Sequence, residues 1–268
     1  MFITFLSDFG LTDDFVGTCH GVIKRIAPDA EIIDITHGIP AQSVLQGALV
    51  LASTIPYMPE GIHLAVVDPG VGTRRRGVAL RDSNGRLYVG PDNGLLVPAA
   101  ERQGGIESAR ELTSGTHRLP SVSATFHGRD VFAPAAAHLA RGVELEELGP
   151  AIDPETLVRL DLPVPEVGRQ RLRATVLYVD RFGNVKLNLT REHLEAVEFL
   201  PGTRVELVFP LARYYAVAAR TFADARPGDL ILYEDSYGNI ALALNGGDAA
   251  SMLSATPGDE LRIGPAPE

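Results

Sequence analysis

The chain carries two kinds of hydrophobic pattern, one after the other, and this order constrains its fold more than any other feature. In the first part, short apolar runs alternate with segments whose apolar residues recur at helical spacing. The predicted strands are 2–6, 31–36 and 62–67, and the predicted helices between them are 13–26 and 42–55. Strands that alternate with helices predict an α/β domain with a mostly parallel central sheet and helices on its faces.

The segment after the third predicted strand adds a hairpin and a further helix. The runs "GVALR" and "RLYVG" flank "DSNG", which predicts a hairpin with Asn84 and Gly85 at its tip. An alanine-rich stretch over 130–140 predicts a helix with Asp130 as its N-cap. Gly128, just before this helix, is expected to permit an unusual backbone angle.

After the stretch "LDLPVPEVGRQ" the pattern changes to short strand-like runs separated by turn residues. Proline and glycine make 162–168 a predicted linker. The runs from "LRATVLYVD" to "ELRIG" recur at fairly regular intervals, which is typical of a small antiparallel sandwich or barrel. The sequence therefore predicts two domains: an α/β N-terminal domain over 1–162 and a smaller all-β, barrel-like C-terminal domain over 169–268.

Charge and cysteine content narrow the classes of protein to which the chain can belong. The formal net charge is −10 over 268 residues, which argues against a nucleic-acid partner because phosphate binding depends on clustered Lys and Arg. Cys19 is the single cysteine, so no intrachain disulfide forms and a reducing compartment is expected. No apolar stretch approaches the roughly 20 residues that span a bilayer, and the N-terminus lacks a signal-peptide pattern. These features predict a soluble, cytoplasmic protein with no membrane partner.

The stretch "VVDPGVGTRRRG" (66–77) ends a predicted buried strand on Asp68 and follows it with three arginines. One interpretation is a structural turn in which Asp68 pairs with an arginine. The other is a reactive site, because ligands bind at the carboxyl ends of strands in open α/β sheets. Asp8 follows the first predicted strand in the same way and is either a loop cap or a second carboxylate of such a site.

Other polar residues in turns have both structural and chemical interpretations. His127 in "ATFHGRD" is either a structural histidine or a general base, since the ordinary histidine pKa of about 6.5 allows proton uptake near neutrality. In the second domain, the turns "DRFGN" and "EDSYGN" offer polar contacts from Asp180, Asn184 and Ser236, and a stacking ring from Phe182.

Several familiar catalytic motifs are absent from the sequence. It has no P-loop, no G-x-G-x-x-G after the first strand and no G-x-S-x-G elbow. The seven histidines show no metal-ligand spacing such as H-E-x-x-H, so no metal site is predicted. Cys19 falls inside a predicted helix and is expected to be an inert buried thiol.

Seven motifs, in order along nearly the whole chain, resemble those of the S-adenosyl-L-methionine (SAM) hydroxide adenosyltransferases, relatives of bacterial fluorinase and chlorinase. They are "SDFGLTDDFVG", "DITHGIP", "VVDPGVGTRRRG", "PDNGLL", "ATFHGRD", "VDRFGNVKLN" and "SYGNIALALNGGDAA". The resemblance implies an α/β domain joined to a barrel-like domain. It also implies a homotrimer in which SAM lies between the N-terminal domain of one subunit and the C-terminal domain of the next.

The resemblance implies a reaction and a catalytic set as well. The family's hydrolases carry an Asp-Arg-His set that matches Asp68, Arg75 and His127, whereas the halogenases replace these positions. The implied reaction is hydrolysis of SAM at C5′ to adenosine and L-methionine, with SAM as the substrate and no cofactor. Only position within the motif selects Arg75 over Arg74 and Arg76, and either His127 or Asp68 could accept the proton. The alternatives are a SAM-dependent halogenase and a non-catalytic SAM or adenosine binder.

The family's substrate contacts match further positions of this sequence. Asp8 matches the residue that holds the ribose diol, and Asp13 lies in the adjoining binding loop. At Tyr237 the sequence departs from the halogenases, which carry arginine beside the methionine carboxylate. The remaining implied contacts are Asp180, Asn184 and Ser236 at the methionine end, Phe182 and Phe222 against adenine, and Asn245.

Overall fold

A computed structural model describes residues 1–267 and divides the chain into two compact units, Met1–Leu160 and Asp161–Glu268. Within the described residues, no helix has both the length and the apolar character needed to cross a membrane. The two units have different architectures, and each is built around its own core.

The first unit contains a seven-stranded sheet in the order β2-β1-β3-β5-β4-β6-β7. Neighbouring strands from β2 to β5 run parallel, and β4, β6 and β7 extend the sheet in antiparallel fashion. The mostly parallel sheet and the β4–β5 hairpin are therefore confirmed. The strands are β1 (Phe2–Ser7), β2 (Glu31–Thr36), β3 (Gly61–Val66), β4 (Gly77–Asp82), β5 (Leu87–Pro91), β6 (Ile106–Glu111) and β7 (Ala151–Ile152). The helices are α1 (Phe15–Ile26), α2 (Val44–Thr54), α3 (Val97–Arg102) and α4 (Ala133–Ala140).

Successive side chains of a strand point to opposite faces of the sheet. The strands carry apolar side chains on both faces, and helices cover each face. In β1, Ile3 and Phe5 pack against α1 and α4, whereas Leu6 packs against α2 and α3. Cys19 of α1 is buried in the first of these layers, and burial raises the pKa of its thiol to about 12. This environment fits the expected inert thiol, since the reactive form of cysteine is the thiolate.

The start of the alanine-rich helix differs from the prediction. A π-helical turn (Gly128–Phe132) precedes α4, and Asp130 lies inside that turn rather than at an N-cap. Its buried carboxylate accepts hydrogen bonds from Arg129 Nε at 2.6 Å and from the Ser123 backbone N–H at 2.8 Å. Gly128 has no positive φ, but a Cβ there would lie 2.9 Å from the Phe9 ring. Glycine is needed here for close packing, not for an unusual backbone angle.

The second unit is a closed seven-stranded barrel. Its strands follow the order β10-β14-β13-β12-β11-β15-β9, and pairing of β9 with β10 closes the ring, while the short strand β8 pairs with the first residues of β9. All pairs are antiparallel except β12 with β13, so the barrel-like prediction is confirmed. The strands are β8 (Glu166–Gly168), β9 (Arg171–Val179), β10 (Val185–Thr190), β11 (Arg204–Val208), β12 (Arg213–Ala219), β13 (Leu230–Glu234), β14 (Asn239–Leu244) and β15 (Glu260–Pro265). Two short helices, α5 (Arg191–Ala196) and α6 (Ala249–Leu253), accompany them.

A histidine at the centre of the sheet is expected to make the stability of the first unit sensitive to acid. His63 of β3 is fully buried, and its Nδ1 lies 2.9 Å from Thr4 Oγ1. Burial, reinforced by the charge of Arg86, lowers the pKa of His63 to about 4. The unfolded chain takes up this proton near pH 6.5, so the free energy of unfolding should decrease as the pH falls from 6.5 towards 4, by roughly 3 kcal/mol in total.

Urea unfolding of wild type and His63→Gln between pH 7 and pH 4 tests this prediction. The glutamine variant should lose less stability over this range than wild type. Equal acid sensitivity of the two proteins would contradict the assignment to His63.

Candidate active site

Asp68 and Arg75 form a buried ion pair just past the end of β3. Arg75 Nε donates to Asp68 Oδ1 at 3.0 Å, and Arg75 Nη2 donates to Asp68 Oδ2 at 2.5 Å. Their side chains are only 6% and 8% exposed, respectively. The turn between them depends on Gly72, which has φ +77° and lies so close to Ala124 that a Cβ would be 2.5 Å from its carbonyl oxygen. Only glycine fits this turn without strain.

The structure distinguishes Arg75 from its two arginine neighbours. Arg74 is exposed. Arg76 instead donates from Nε to Asp92 at 2.8 Å and from Nη2 to the Thr156 backbone carbonyl at 2.7 Å. Arg75 is thus the arginine that pairs with Asp68, and it is also the arginine that matches the family motif.

His127 completes a three-residue cluster. Its Nδ1 lies 3.1 Å from Arg75 Nη2, and a guanidinium can only donate, so Nδ1 accepts this hydrogen bond. The proton of the neutral ring is therefore on Nε2. Burial, followed by the positive charge of Arg75, lowers the pKa of His127, against the weaker opposite effects of Asp68 and Asp130. Burial and the charge of Arg75 thus both favour the neutral form of His127.

Asp8 lies on the neighbouring strand end, because Ser7 of β1 pairs with Val66 of β3 in parallel register. The Asp8 carboxylate accepts a hydrogen bond from the Gln42 backbone N–H at 2.8 Å. Burial raises the pKa of Asp8, and the nearby charge of Asp68 raises it further. The two carboxylates expected at this sheet edge are therefore close enough to interact.

A cavity of about 360 Å³ opens at this edge of the sheet. Asp8, Asp68 and His127 line it, whereas Arg75 is not among its lining residues although it contacts two of them. Asp13 is exposed and also lies outside the lining. The volume is comparable to that of small-molecule sites in proteins.

One wall of the cavity is an aromatic cluster that is not among the site residues predicted from the sequence. Phe9, Phe15 and Phe126 line the cavity and contact one another, with ring centroids 5.1 to 5.9 Å apart. Such a wall suits a flat, partly apolar ligand. All three rings lie within the motifs "SDFGLTDDFVG" and "ATFHGRD", and this position could have pointed to them from the sequence.

In the second unit, a buried lysine joins the two predicted binding turns. Asp180 accepts hydrogen bonds from the backbone N–H and the side-chain amide of Asn184 at 3.0 and 2.8 Å. Asp235 organises the other turn by accepting the Tyr237 backbone N–H at 2.9 Å. Lys186 Nζ lies 2.7 Å from Asp235 and 3.9 Å from Asp180. Lysine is rare in this chain, with Lys24 as the only other one, and this rarity could have drawn attention to Lys186 in the sequence.

The remaining predicted contacts of the second unit fall into two groups. Ser236 and Tyr237 are exposed in the turn held by Asp235. Phe222 packs against Tyr233 at 5.3 Å between ring centroids, and Asn245 Nδ2 donates to the Phe222 backbone carbonyl at 3.0 Å. Phe182, by contrast, is 69% exposed, and its ring contacts the Arg181 guanidinium. Phe222 begins a short 3₁₀ helix (Phe222–Asp224), and the other predicted contacts of this unit lie at strand ends or in turns.

Comparison with known proteins gives a consistent family match. Residues 3–149 match the model of the SAM hydroxide adenosyltransferase N-terminal domain, and residues 174–262 match that of the C-terminal domain. Over 261 residues, which are 97% of each chain, the sequence is 52% identical to an (R)-S-adenosyl-L-methionine hydrolase from Salinispora arenicola. A hydrolase of the same name from Salinispora tropica is 50% identical over 262 residues, again 97% of each chain.

More distant relatives and solved structures extend this result. A fluorinase from Actinoplanes sp. is 32% identical over 91% of this chain and 90% of its own. The crystal structure of an uncharacterized conserved protein from Thermotoga maritima superimposes with a TM-score of 0.91 at 37% identity, covering 97% of this chain and 99% of that chain. The likeness thus extends over both units of the chain.

Proposed function

The chain belongs to the SAM hydroxide adenosyltransferase family, and we propose that it hydrolyses SAM at C5′ to adenosine and L-methionine. The observation that carries this proposal is the Asp68–Arg75–His127 cluster at a cavity of nucleoside-compatible size. The similar Salinispora proteins are named for the (R) form of SAM, so we propose this sulfonium epimer as the preferred substrate.

The proposed reaction needs an oriented water molecule more than an acid. SAM carries a positively charged sulfur, so the C5′–S bond breaks with its electron pair and methionine leaves as a neutral thioether. No proton has to be given to the leaving group, and no cofactor is required for this displacement. Oxygen of water forms the new C5′–O bond, and one water proton must then be removed. Positioning the water in line with the C5′–S bond is the main task of the site.

The hydrogen bonds of the cluster favour Asp68 as the proton acceptor. His127 Nδ1 already accepts from Arg75, and Nε2 of the neutral ring carries a proton, so this histidine can donate to the water but has no free lone pair. A carboxylate oxygen has several lone pairs and can accept from water while it is paired with Arg75. The water proton becomes strongly acidic as the C5′–O bond forms, so a carboxylate is a sufficient base.

Asp8 is proposed to bind the ribose diol, and its substitution should mainly weaken substrate binding. Asp8→Asn keeps an acceptor for the Gln42 N–H but removes the negative charge. The carboxylate would contact the ribose equally in the ground and transition states, so KM should rise with little change in kcat. Steady-state kinetics test this, and a collapse of kcat at unchanged KM would contradict the role.

We propose a homotrimer with a shared substrate site as the active assembly. The implied substrate contacts fall in both units, with Asp8 in the first and Asn184 and Ser236 in the second. A heterologous contact that joins one subunit's first unit to the next subunit's second unit can close into a ring with threefold symmetry. The mass of the protein in solution, measured by light scattering, tests the oligomeric state.

The function is tested by incubating the pure protein with (R)-SAM and with (S)-SAM in ¹⁸O-labelled water. The expected products are adenosine and methionine in equal amounts, with the label in the adenosine 5′-hydroxyl. Parallel reactions with chloride or fluoride test the halogenase alternative, which predicts a 5′-halogenated nucleoside. Binding of SAM with no turnover would instead indicate a non-catalytic binder and overturn the proposal.

A further inference from the structure

Two histidines and an aspartate converge on the outer part of the sheet, apart from the reactive cluster. His20 lies on α1, Asp34 on the edge strand β2, and His37 just after β2. Their nearest ligand atoms all lie within 4.8 Å of one another. None of the three lines the cavity described above. The residues are brought together because Asp34 pairs with Phe5 in the sheet, and both imidazole rings pack near the Phe5 ring.

The atoms that face one another are all of types that bind metal ions. Nε2 of His20 is hydrogen-bonded to Asp34 Oδ1 at 2.9 Å, and Nε2 of His37 lies 3.0 Å from the same oxygen. His37 is 4% exposed, and its contact with Asp34 has ion-pair distance but not hydrogen-bond geometry, so Nε2 has no hydrogen-bond partner among residues 1–267. A buried polar atom without a partner is costly, and here it points at a carboxylate. A cation placed between these three groups would satisfy the imidazole nitrogen and the carboxylate oxygen together.

The other nitrogen of His37 is already arranged for this role. Its Nδ1 lies 2.7 Å from Ser7 Oγ, and a proton on Nδ1 that is donated to this hydroxyl leaves the Nε2 lone pair free. A hydrogen bond from the second ring nitrogen is the usual way in which proteins orient a metal-binding histidine. Ser7 is itself held by the Phe9 backbone N–H at 3.2 Å, so this orienting contact is built into the end of β1.

We propose that His20, Asp34 and His37 bind a divalent first-row transition-metal ion, such as zinc. Two imidazoles and one carboxylate are typical zinc ligands, whereas Mg²⁺ and Ca²⁺ prefer oxygen ligands throughout. His20 and Asp34 are partly exposed, so the side chains can adjust and solvent can supply a further ligand. The spacing of these residues along the sequence matches no metal motif, and the proposal therefore revises the expectation drawn from that spacing.

The site would stabilise the segment that carries Asp8 without taking part in bond breaking. His37 contacts Ser7, the residue before Asp8, and the His37 carbonyl accepts the Gly10 backbone N–H at 2.8 Å. A metal ion on His37 would therefore tie α1 and β2 to the loop after β1. This proposal is independent of the reaction proposed above, because metal binding can be measured without substrate.

Titration of the metal-free full-length protein with Co²⁺ tests the proposal, with visible absorption and calorimetry as readouts. We expect one Co²⁺ per chain with d–d absorption bands, displacement by Zn²⁺, and no competition from Mg²⁺. His20→Ala and Asp34→Asn should weaken Co²⁺ binding by roughly 10–100-fold or more, since loss of even an outer-shell partner costs this much. Both residues are partly exposed, so these variants should fold, and melting curves without metal verify that.

The matched control is His117→Ala, which removes one imidazole from the other close pair, His117 and His138, whose ring centroids are 4.9 Å apart. This variant should bind Co²⁺ as wild type does. Absence of Co²⁺ binding to wild type would overturn the proposal. Binding that persists in both His20→Ala and Asp34→Asn, or that is lost in His117→Ala, would overturn it equally.

Discussion

Replacing Arg75 by alanine should lower kcat for SAM hydrolysis by about 10²–10³-fold, the usual cost of losing one preorganised electrostatic contact. Arg75 holds Asp68 through two hydrogen bonds and His127 through a third. Without the guanidinium, Asp68 loses its orientation and His127 loses the contact that defines which nitrogen carries the proton. SAM binding should survive, because Arg75 does not line the cavity.

Two variants separate this role from a general loss of charge. Arg74→Ala removes the neighbouring exposed arginine and should leave kcat unchanged. Arg75→Lys keeps the positive charge but cannot reproduce the planar pair of hydrogen bonds to a carboxylate, so it should remain impaired. Substitution of Arg75 also leaves the buried Asp68 unpaired, so melting curves must show that each variant is folded under assay conditions. Inactivity of Arg74→Ala together with full activity of Arg75→Ala would contradict the assignment.

Mixing two inactive variants should restore activity if the proposed trimer shares its sites between subunits. Arg75→Ala disables the first unit and Asn184→Ala the second. After dissociation and reassembly of equal amounts, a mixed ring can join an intact first unit to a neighbour's intact second unit. Random mixing in a closed ring would make about a quarter of the sites complete. Each variant alone forms no complete site, so turnover should rise from background to a clearly measurable rate in the mixture.

The control for this experiment pairs two variants in the same unit. Arg75→Ala mixed with Asp68→Ala should stay inactive, because every site then contains one damaged first unit. The assays use SAM well below the wild-type KM, where weakened binding by Asn184→Ala appears as lost turnover. No recovery in the first mixture, or a fully active monomer, would exclude a shared site.

The two architectures follow from local hydrophobic patterns, and this explains why they could be predicted. Alternation of buried runs with helical periodicity over 2–67 requires a sheet covered on both faces, which the packing of Ile3 and Leu6 on opposite sides confirms. Short strands between turns similarly require a sheet that closes on itself. The prediction that Asp130 is the N-cap of α4 was wrong. The position of Asp130 is set by hydrogen bonds from Arg129 and Ser123, and the general preference of aspartate for N-caps takes no account of such contacts.

The contacts between side chains of the candidate site could be identified only from the tertiary structure. Composition and local order along the chain were sufficient to predict an α/β part followed by an all-β part, the acidic character, and the presence of Asp68, Arg75 and His127 in family motifs. The fold decided which arginine meets Asp68, because Arg76 turns to Asp92 instead. It also brought His20 and His37 to the two sides of Asp34. Such contacts arise from strand register and from the close approach of separate segments, and spacing along a chain does not encode either of these directly.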